Sequence, residues 1–335
     1  MRSNKTYIIA ELSANHNNDY QLALDTIKAI AECGADAVKV QTYTADSLTL
    51  DVDSELFMAK KGGPWEGRKL YDLYTEASLP YDWHLPLKDY AESLGLDFFS
   101  SPFDLEGVDF LETLNISRYK IASFEITDIP LIKYVASKGK PIIMSTGVAE
   151  LSDIELAIKA CREEGNNDIT LLKCTSEYPA PMDRANLLTI PNLRETFGVE
   201  VGLSDHTMGS TVPIAAVALG ASVVEKHFIL DRNLGGPDSS FSMNPEEFKD
   251  MVKAIRDVEK ALGKVSYEVS DSSKLRRRSL FISKDVKMGE ILTQDNLRSI
   301  RPGYGLHPKH YYDVLGKIVK KDIKKGEALS LTDLI

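Results

Sequence analysis

The 335-residue chain is 43% hydrophobic and 27% charged, enough apolar material for one large core and a small second domain. A formal net charge of -10 argues against general affinity for nucleic acid or for an anionic membrane surface. Three scattered cysteines without a CxxC pair favour a reducing compartment. With no charged-then-apolar leader and no apolar run near the ~20 residues that span a bilayer, the expected location is the cytoplasm.

Up to about residue 265, short apolar runs alternate with longer amphipathic stretches. The runs 7–11, 35–41, 97–101, 118–122, 141–145, 169–174, 199–203 and 222–227 are rich in Val, Ile, Leu and Phe, as strands buried on both faces are. Residues 20–33 carry Leu24, Ile27, Ile30 and Ala31 at helical spacing and stop at Gly34, a suitable C-terminal cap. The segment 42–82 is long for a plain connection. It holds Gly62, Gly63, Pro64 and Trp65, then Arg68, Tyr71 and Tyr74, and reads as an ordered substrate-facing excursion, with a satellite core as the alternative. Asn244 is placed to cap a helix with Pro245 at its first position and Phe248, Met251, Val252, Ile255 and Leu262 facing the core. Eight strands, each followed by a crossover, predict an α/β fold closed as a (β/α)₈ TIM barrel; a doubly wound sheet would need a GxGxxG turn, and none is present.

The barrel is expected over residues 1–268, a polar basic linker over 269–278 and a small β-rich domain over 279–335. The last carries an internal repeat, in which the segment from Lys284 to Glu290 recurs from Lys321 to Glu327. Two short copies are too few for a solenoid.

In such barrels the chemistry gathers at the C-terminal ends of the strands. Nearly every predicted end here carries a polar or reactive group. Glu11 ends the first run, while Lys39 and Gln41, two apart, share one face of the second. The third ends at Ser101, the fourth offers Lys120, Ser123 and Glu125, and the sixth leads into Ser176 and Tyr178. The seventh ends in Ser204, Asp205 and His206, the eighth in Lys226 and His227. His206 and His227, on neighbouring ends, are candidate ligands for one Mn²⁺, Mg²⁺ or Zn²⁺ ion, with water or substrate completing the shell; the alternative is a plain strand-end hydrogen bond for each. Lys39 and Lys120 suit a phosphate and a carboxylate, helped by the hydroxyls of Ser101, Ser123 and Ser204, unless they extend to solvent. Glu11 and Glu125 suit orienting or deprotonating a sugar hydroxyl, or ion pairs with those lysines.

Read in order, these motifs resemble the sialic acid synthase family, the bacterial nonulosonate synthases. The resemblance runs over essentially the whole chain. It includes the stretches from Glu11 to His16, from Lys39 to Gln41, from Lys120 to Glu125, from Cys174 to Pro179 and from Ser204 to His206, together with Glu225 to Phe228, Gly236 to Asp238 and Arg301 to Gly303. The terminal domain is similar to the family's antifreeze-like (SAF) domain. The segments around Glu11, Gln41 and Trp65 look most like the pseudaminate-forming branch.

The resemblance implies condensation of phosphoenolpyruvate with an acetamido sugar aldehyde in a metal-dependent, domain-swapped homodimer. Manganese is the expected ion, with Mg²⁺ or Co²⁺ as alternatives, on His206 and His227. Lys39, Ser101, Lys120, Ser123, Ser176 and Ser204 would hold phosphoenolpyruvate. Glu11, Gln41, Tyr178 and Asp238 would bind the sugar, Glu125 would lie near the reacting oxygens, and Arg301 would reach the sugar in the neighbouring subunit. Ser101 stands where the family often has threonine, and Ser176 where neuraminate synthases have asparagine. Other readings of the same residues are a legionaminate or N-acetylneuraminate synthase, a Schiff-base aldolase using Lys39, Lys120, Lys173 or Lys226, and a carbohydrate-binding module with a silent barrel.

Overall fold

The computed structural model describes residues 5–60 and 65–335; Gly62, Gly63 and Pro64 of the long loop and the first four residues of the polar N-terminus lie outside the described residues. Strands β1 (Tyr7–Glu11), β2 (Ala37–Thr42), β3 (Asp97–Pro102), β4 (Tyr119–Ile121), β5 (Ile142–Ser145), β6 (Ile169–Cys174), β7 (Glu200–Asp205) and β8 (Val223–His227) run parallel and close into a barrel in chain order. β7 continues to Asp205, two residues past the predicted run, so Ser204 and Asp205 sit within the ladder.

Alternation along the strands divides the core into two layers. Outward residues such as Ile8, Ala10, Val38, Val40, Phe98 and Val224 meet the helical shell, including Ile27 and Ile30 of helix Tyr20–Glu32 and Phe248, Met251 and Ile255 of helix Pro245–Leu262. Inward, Ile9, Ala37, Phe99, Ile143, Leu172 and Val223 form an apolar plug. Apart from Ala37, each of these side chains contributes roughly 1.5–3 kcal/mol relative to exposure. Gly202 of β7 is what lets the plug close. A Cβ there would stand 2.4 Å from Val223 O and 2.7 Å from Leu172 Cδ2.

The caps follow the sequence. Asp19 Oδ1 accepts from Leu22 N (3.1 Å) and Asn244 Oδ1 from Glu247 N (2.9 Å), each satisfying a donor that the first helical turn leaves open. One core expectation is corrected: Leu262 is 53% exposed. Arg256 donates to Thr6 O (2.7 Å) and Thr6 N donates to Glu259, and this polar network closes the layer one turn before Leu262. Among the described residues no helix is long and apolar enough to cross a membrane.

The chain divides into two compact units after Gly263. The second contains a two-stranded antiparallel sheet of β9 (Ser279–Ile282) and β10 (Leu297–Ile300) over a core that includes Leu280, Val286, Leu297, Val319, Ile323 and Leu334. Its repeats embrace each other. Val286 bridges Ile323; Asp322 accepts from Lys287 Nζ (2.8 Å) and Met288 N (2.9 Å), while Asp285 accepts from Lys324 Nζ (3.2 Å) and Lys325 N (2.9 Å). Equivalent residues of the two copies thus exchange equivalent bonds.

Candidate active site

Above the apolar plug the inward positions turn polar. One residue pair further along each strand, Ile9 gives way to Glu11, Ala37 to Lys39, Phe99 to Ser101, Ile143 to Ser145, Leu172 to Cys174 and Val223 to Glu225. All of these polar replacements are buried.

Two ammonium groups organise this layer. Lys39 pairs with Glu11, lies 4.0 Å from Glu225 and donates to Ser101 Oγ at 3.4 Å. Burial opposes its charge, but Glu11 and Glu225 outweigh it and hold the ammonium above the usual lysine range. Lys120, from β4, reaches Glu225 Oε1 at 3.1 Å, and Ser204 Oγ donates to the same oxygen at 3.1 Å. The lysines therefore point inward, and the ion-pair alternative describes their present partners.

Toward the mouth, Glu11 Oε1 accepts from Gln41 Nε2 (3.2 Å) and from Ser13 N (3.1 Å). Gln41 Nε2 also donates to Ser13 Oγ (3.2 Å), which in turn donates to Asp238; Asp238 accepts from Ala14 N as well (3.3 Å). Burial raises the Asp238 carboxyl above its ordinary range. Ser13 was not singled out by sequence reasoning. Its contact with Asp238 joins residues 225 positions apart, and no local pattern reports that.

On the far side Gly147 N donates to Ser123 Oγ (3.2 Å). A Cβ on Gly147 would stand 2.1 Å from Ser176 Oγ and 2.9 Å from Ser123 Oγ, so only glycine leaves these two hydroxyls their shared recess. Ser145 Oγ and Glu125 Oε2 are buried without a hydrogen-bond partner. Burial pushes Glu125 up to about 7, more than the nearby Lys120 ammonium can offset.

The rings of His206 and His227 lie 5.3 Å apart between centroids, and Tyr178 lies 4.3 Å from His206. His206 Nδ1 donates to Thr175 O at 2.9 Å, which leaves Nε2 as the acceptor nitrogen. His227 Nδ1 is buried with no partner. Burial, then His206, Lys39, Lys226 and Lys120, keep the His227 imidazole well below the ordinary range and hence neutral. Burial opposes a charge on His206, but the neighbouring Cys174 outweighs it and holds that imidazole above its ordinary range. The two adjacent rings, with the orphaned nitrogen of neutral His227, fit a divalent ion. Among the described residues no group of three His, Cys, Asp or Glu side chains converges on one point, so such an ion would take its other ligands from water or substrate.

The long loop is ordered where described, with helices Ala45–Leu48 and Leu70–Ala77. Its Trp65 donates to Pro237 O at 2.9 Å, and its ring stands 5.7 Å from Tyr178. Arg301 belongs to the second unit and is exposed there.

Two further lysines stand apart from the site. Lys226 is buried with Asp205 Oδ2 and Thr207 O, each at 2.5 Å, on the outward side of β8. Lys173, whose outward position follows from the inward Leu172 and Cys174, donates to Cys174 O at 2.6 Å. Glu225 is the residue that sequence reasoning passed over. The available signal was its place two before His227, which puts both on one face.

The NeuB family model matches residues 26–267 and the SAF domain model residues 277–335. The chain belongs to the NeuB family. This NeuB-family chain is 48% identical over 332 residues to the pseudaminic acid synthase of Campylobacter jejuni (strain 81-176), an alignment covering 98% of this chain and 96% of that one. It is 39% identical over 331 residues to the N,N'-diacetyllegionaminic acid synthase of Legionella pneumophila, covering 96% and 93%. Among solved structures, it matches the N-acetylneuraminic acid (sialic acid) synthetase of Leptospira borgpetersenii at 32% identity with a TM-score of 0.71, over 80% of this chain and 88% of the other.

Proposed function

We propose that this chain joins phosphoenolpyruvate to 2,4-diacetamido-2,4,6-trideoxy-L-altrose, giving pseudaminic acid and inorganic phosphate. The observation that carries the reading is the paired ammonium groups of Lys39 and Lys120, buried in one closed barrel beneath the adjacent rings of His206 and His227. The higher identity to a pseudaminate synthase than to a legionaminate synthase favours the altrose-configured sugar.

Lys39 and Lys120 neutralise the phosphate and carboxylate of phosphoenolpyruvate, and Ser101, Ser123, Ser176 and Ser204 supply hydrogen bonds around them. His206 and His227 would hold a divalent ion, manganese in this reading, which would supply Lewis acidity to the open-chain sugar aldehyde. Glu11, Gln41, Tyr178 and Asp238 orient the sugar so that its aldehyde carbon faces the enol carbon of phosphoenolpyruvate. A carbon–carbon bond forms there, water adds to the resulting oxocarbenium carbon, and the carbon–oxygen bond to phosphate breaks. Glu125, whose carboxyl is pushed up to about 7 and has one unpartnered oxygen, gives its proton to the former aldehyde oxygen and recovers one from that water. The protein works as a cytoplasmic, domain-swapped homodimer in which Arg301 reaches the acetamido group of the sugar held by the partner.

Mass spectrometry of the product formed from phosphoenolpyruvate and the bis-acetamido trideoxy-altrose tests the reading. The expected mass is that of a diacetamido nonulosonate, with one phosphate released per turnover. Turnover with N-acetylmannosamine alone would reassign the substrate. Borohydride trapping of a lysine adduct would replace the metal reading with Schiff-base chemistry.

A further inference from the structure

The groups assigned to phosphoenolpyruvate arrive from separate strands, yet three of them meet on one carboxylate. Glu225 Oε1 accepts from Lys120 Nζ and from Ser204 Oγ, both at 3.1 Å, and Glu225 Oε2 lies 4.0 Å from Lys39 Nζ without a hydrogen-bond partner. In a barrel closed in chain order, β8 and β4 stand on opposite walls, so the contact with Lys120 spans the interior. Glu225 is 5% exposed and rests directly on the apolar plug through Val223. A carboxylate there is expensive to bury unless its partners depend on it. Two lysine ammoniums aimed into one dry space repel each other, and a carboxylate placed between them offsets that repulsion and fixes their directions.

We propose that Glu225 is a positioning residue for phosphoenolpyruvate. It splays Lys39 and Lys120 and orients the Ser204 hydroxyl, so that the phosphate and carboxylate of the incoming ligand meet donors already in place. The inference rests on the phosphoenolpyruvate reading above and deepens it. Glu225 itself lies beneath the ligand and takes no part in bond making.

The test is calorimetric binding of phosphoenolpyruvate to the manganese-loaded full chain, together with steady-state kinetics, for wild type, E225Q and E225D. A charge-assisted hydrogen bond to Lys120 and an ion pair with Lys39 are at stake, so E225Q weakens phosphoenolpyruvate binding by about ten- to a hundredfold. The KM for the sugar stays within about twofold, because Gln41 and Asp238 are held by Glu11, Ser13 and Ala14 and make no hydrogen bond to Glu225. E225D keeps the charge but sets it one methylene back, and falls between the two. A merely structural role would lower the melting temperature and leave the ratio of the two KM values unchanged. Should E225Q not fold, E225D carries the same criterion. Unchanged phosphoenolpyruvate binding, or equal losses for both substrates, overturns the inference alone. A wild-type chain that binds no phosphoenolpyruvate overturns the functional reading with it.

Discussion

His227 Nδ1 and Glu125 Oε2 are buried polar atoms without partners, a condition that costs about 1–3 kcal/mol each unless a ligand relieves it. His227→Ala therefore gives up little stability in metal-free buffer while removing one of two candidate protein ligands. The expected outcome is loss of bound manganese by elemental analysis and a fall in turnover of at least about a hundredfold; an unchanged rate at saturating metal would remove the ligand assignment. For Glu125, burial lifts the folded carboxyl from 4.5 to about 7. Between these values the unfolded chain ionises while the folded one stays protonated, so folding stability falls as pH rises through the window and levels off above about 7. In Glu125→Gln this slope disappears from denaturant melts, along with any limb near 7 in the pH profile of kcat/KM; a slope identical to wild type would refute the elevated carboxyl.

At the scale of elements, the strands were readable because parallel strands covered on both faces leave continuous apolar runs. Period-two alternation likewise placed Lys39 and Gln41 on one face. The same alternation applied to β8 would have selected Glu225 with His227 and sent Lys226 outward. Attention to the strand tip alone missed it. Leu262 was misread because helical periodicity reports a face and says nothing of where the layer beneath ends. Ser13 with Asp238, and the recess at Gly147, are set by tertiary closure and leave no mark in local sequence. Gly202 offers a direct test of how tightly the barrel is closed. Gly202→Ala places a methyl group against the Val223 carbonyl, which belongs to the neighbouring strand and has little freedom to withdraw. A loss of about 2–4 kcal/mol in urea melts is expected. A loss below about 0.5 kcal/mol would mean that β7 and β8 slide apart easily.

For the whole molecule, the terminal unit raises the question of which protomer its loops serve. If Arg301 acts on the partner's sugar, R301A raises the sugar KM about tenfold with the phosphoenolpyruvate KM unaffected. Mixing R301A with H227A protomers then restores roughly a quarter of wild-type activity, since half the dimers are mixed and each has one complete site. No recovery on mixing would assign Arg301 to its own subunit or to neither. The duplication within that unit was legible because both copies keep a lysine two residues before the turn glycine, Lys287 with Gly289 and Lys324 with Gly326. Their reciprocal Asp285 and Asp322 bonds were not legible, since sequence shows likeness between copies and not how they clasp.

The plug of Ile9, Ala37, Phe99, Ile143, Leu172 and Val223 makes the barrel a shaft with a blind end. Whatever settles on Lys39 and Lys120 occupies the bottom, and anything held at His227 and Tyr178 stands in the doorway above it. Traffic through such a space is stacked: the deeper guest enters first and leaves last, and a large product at the entrance detains the small one behind it.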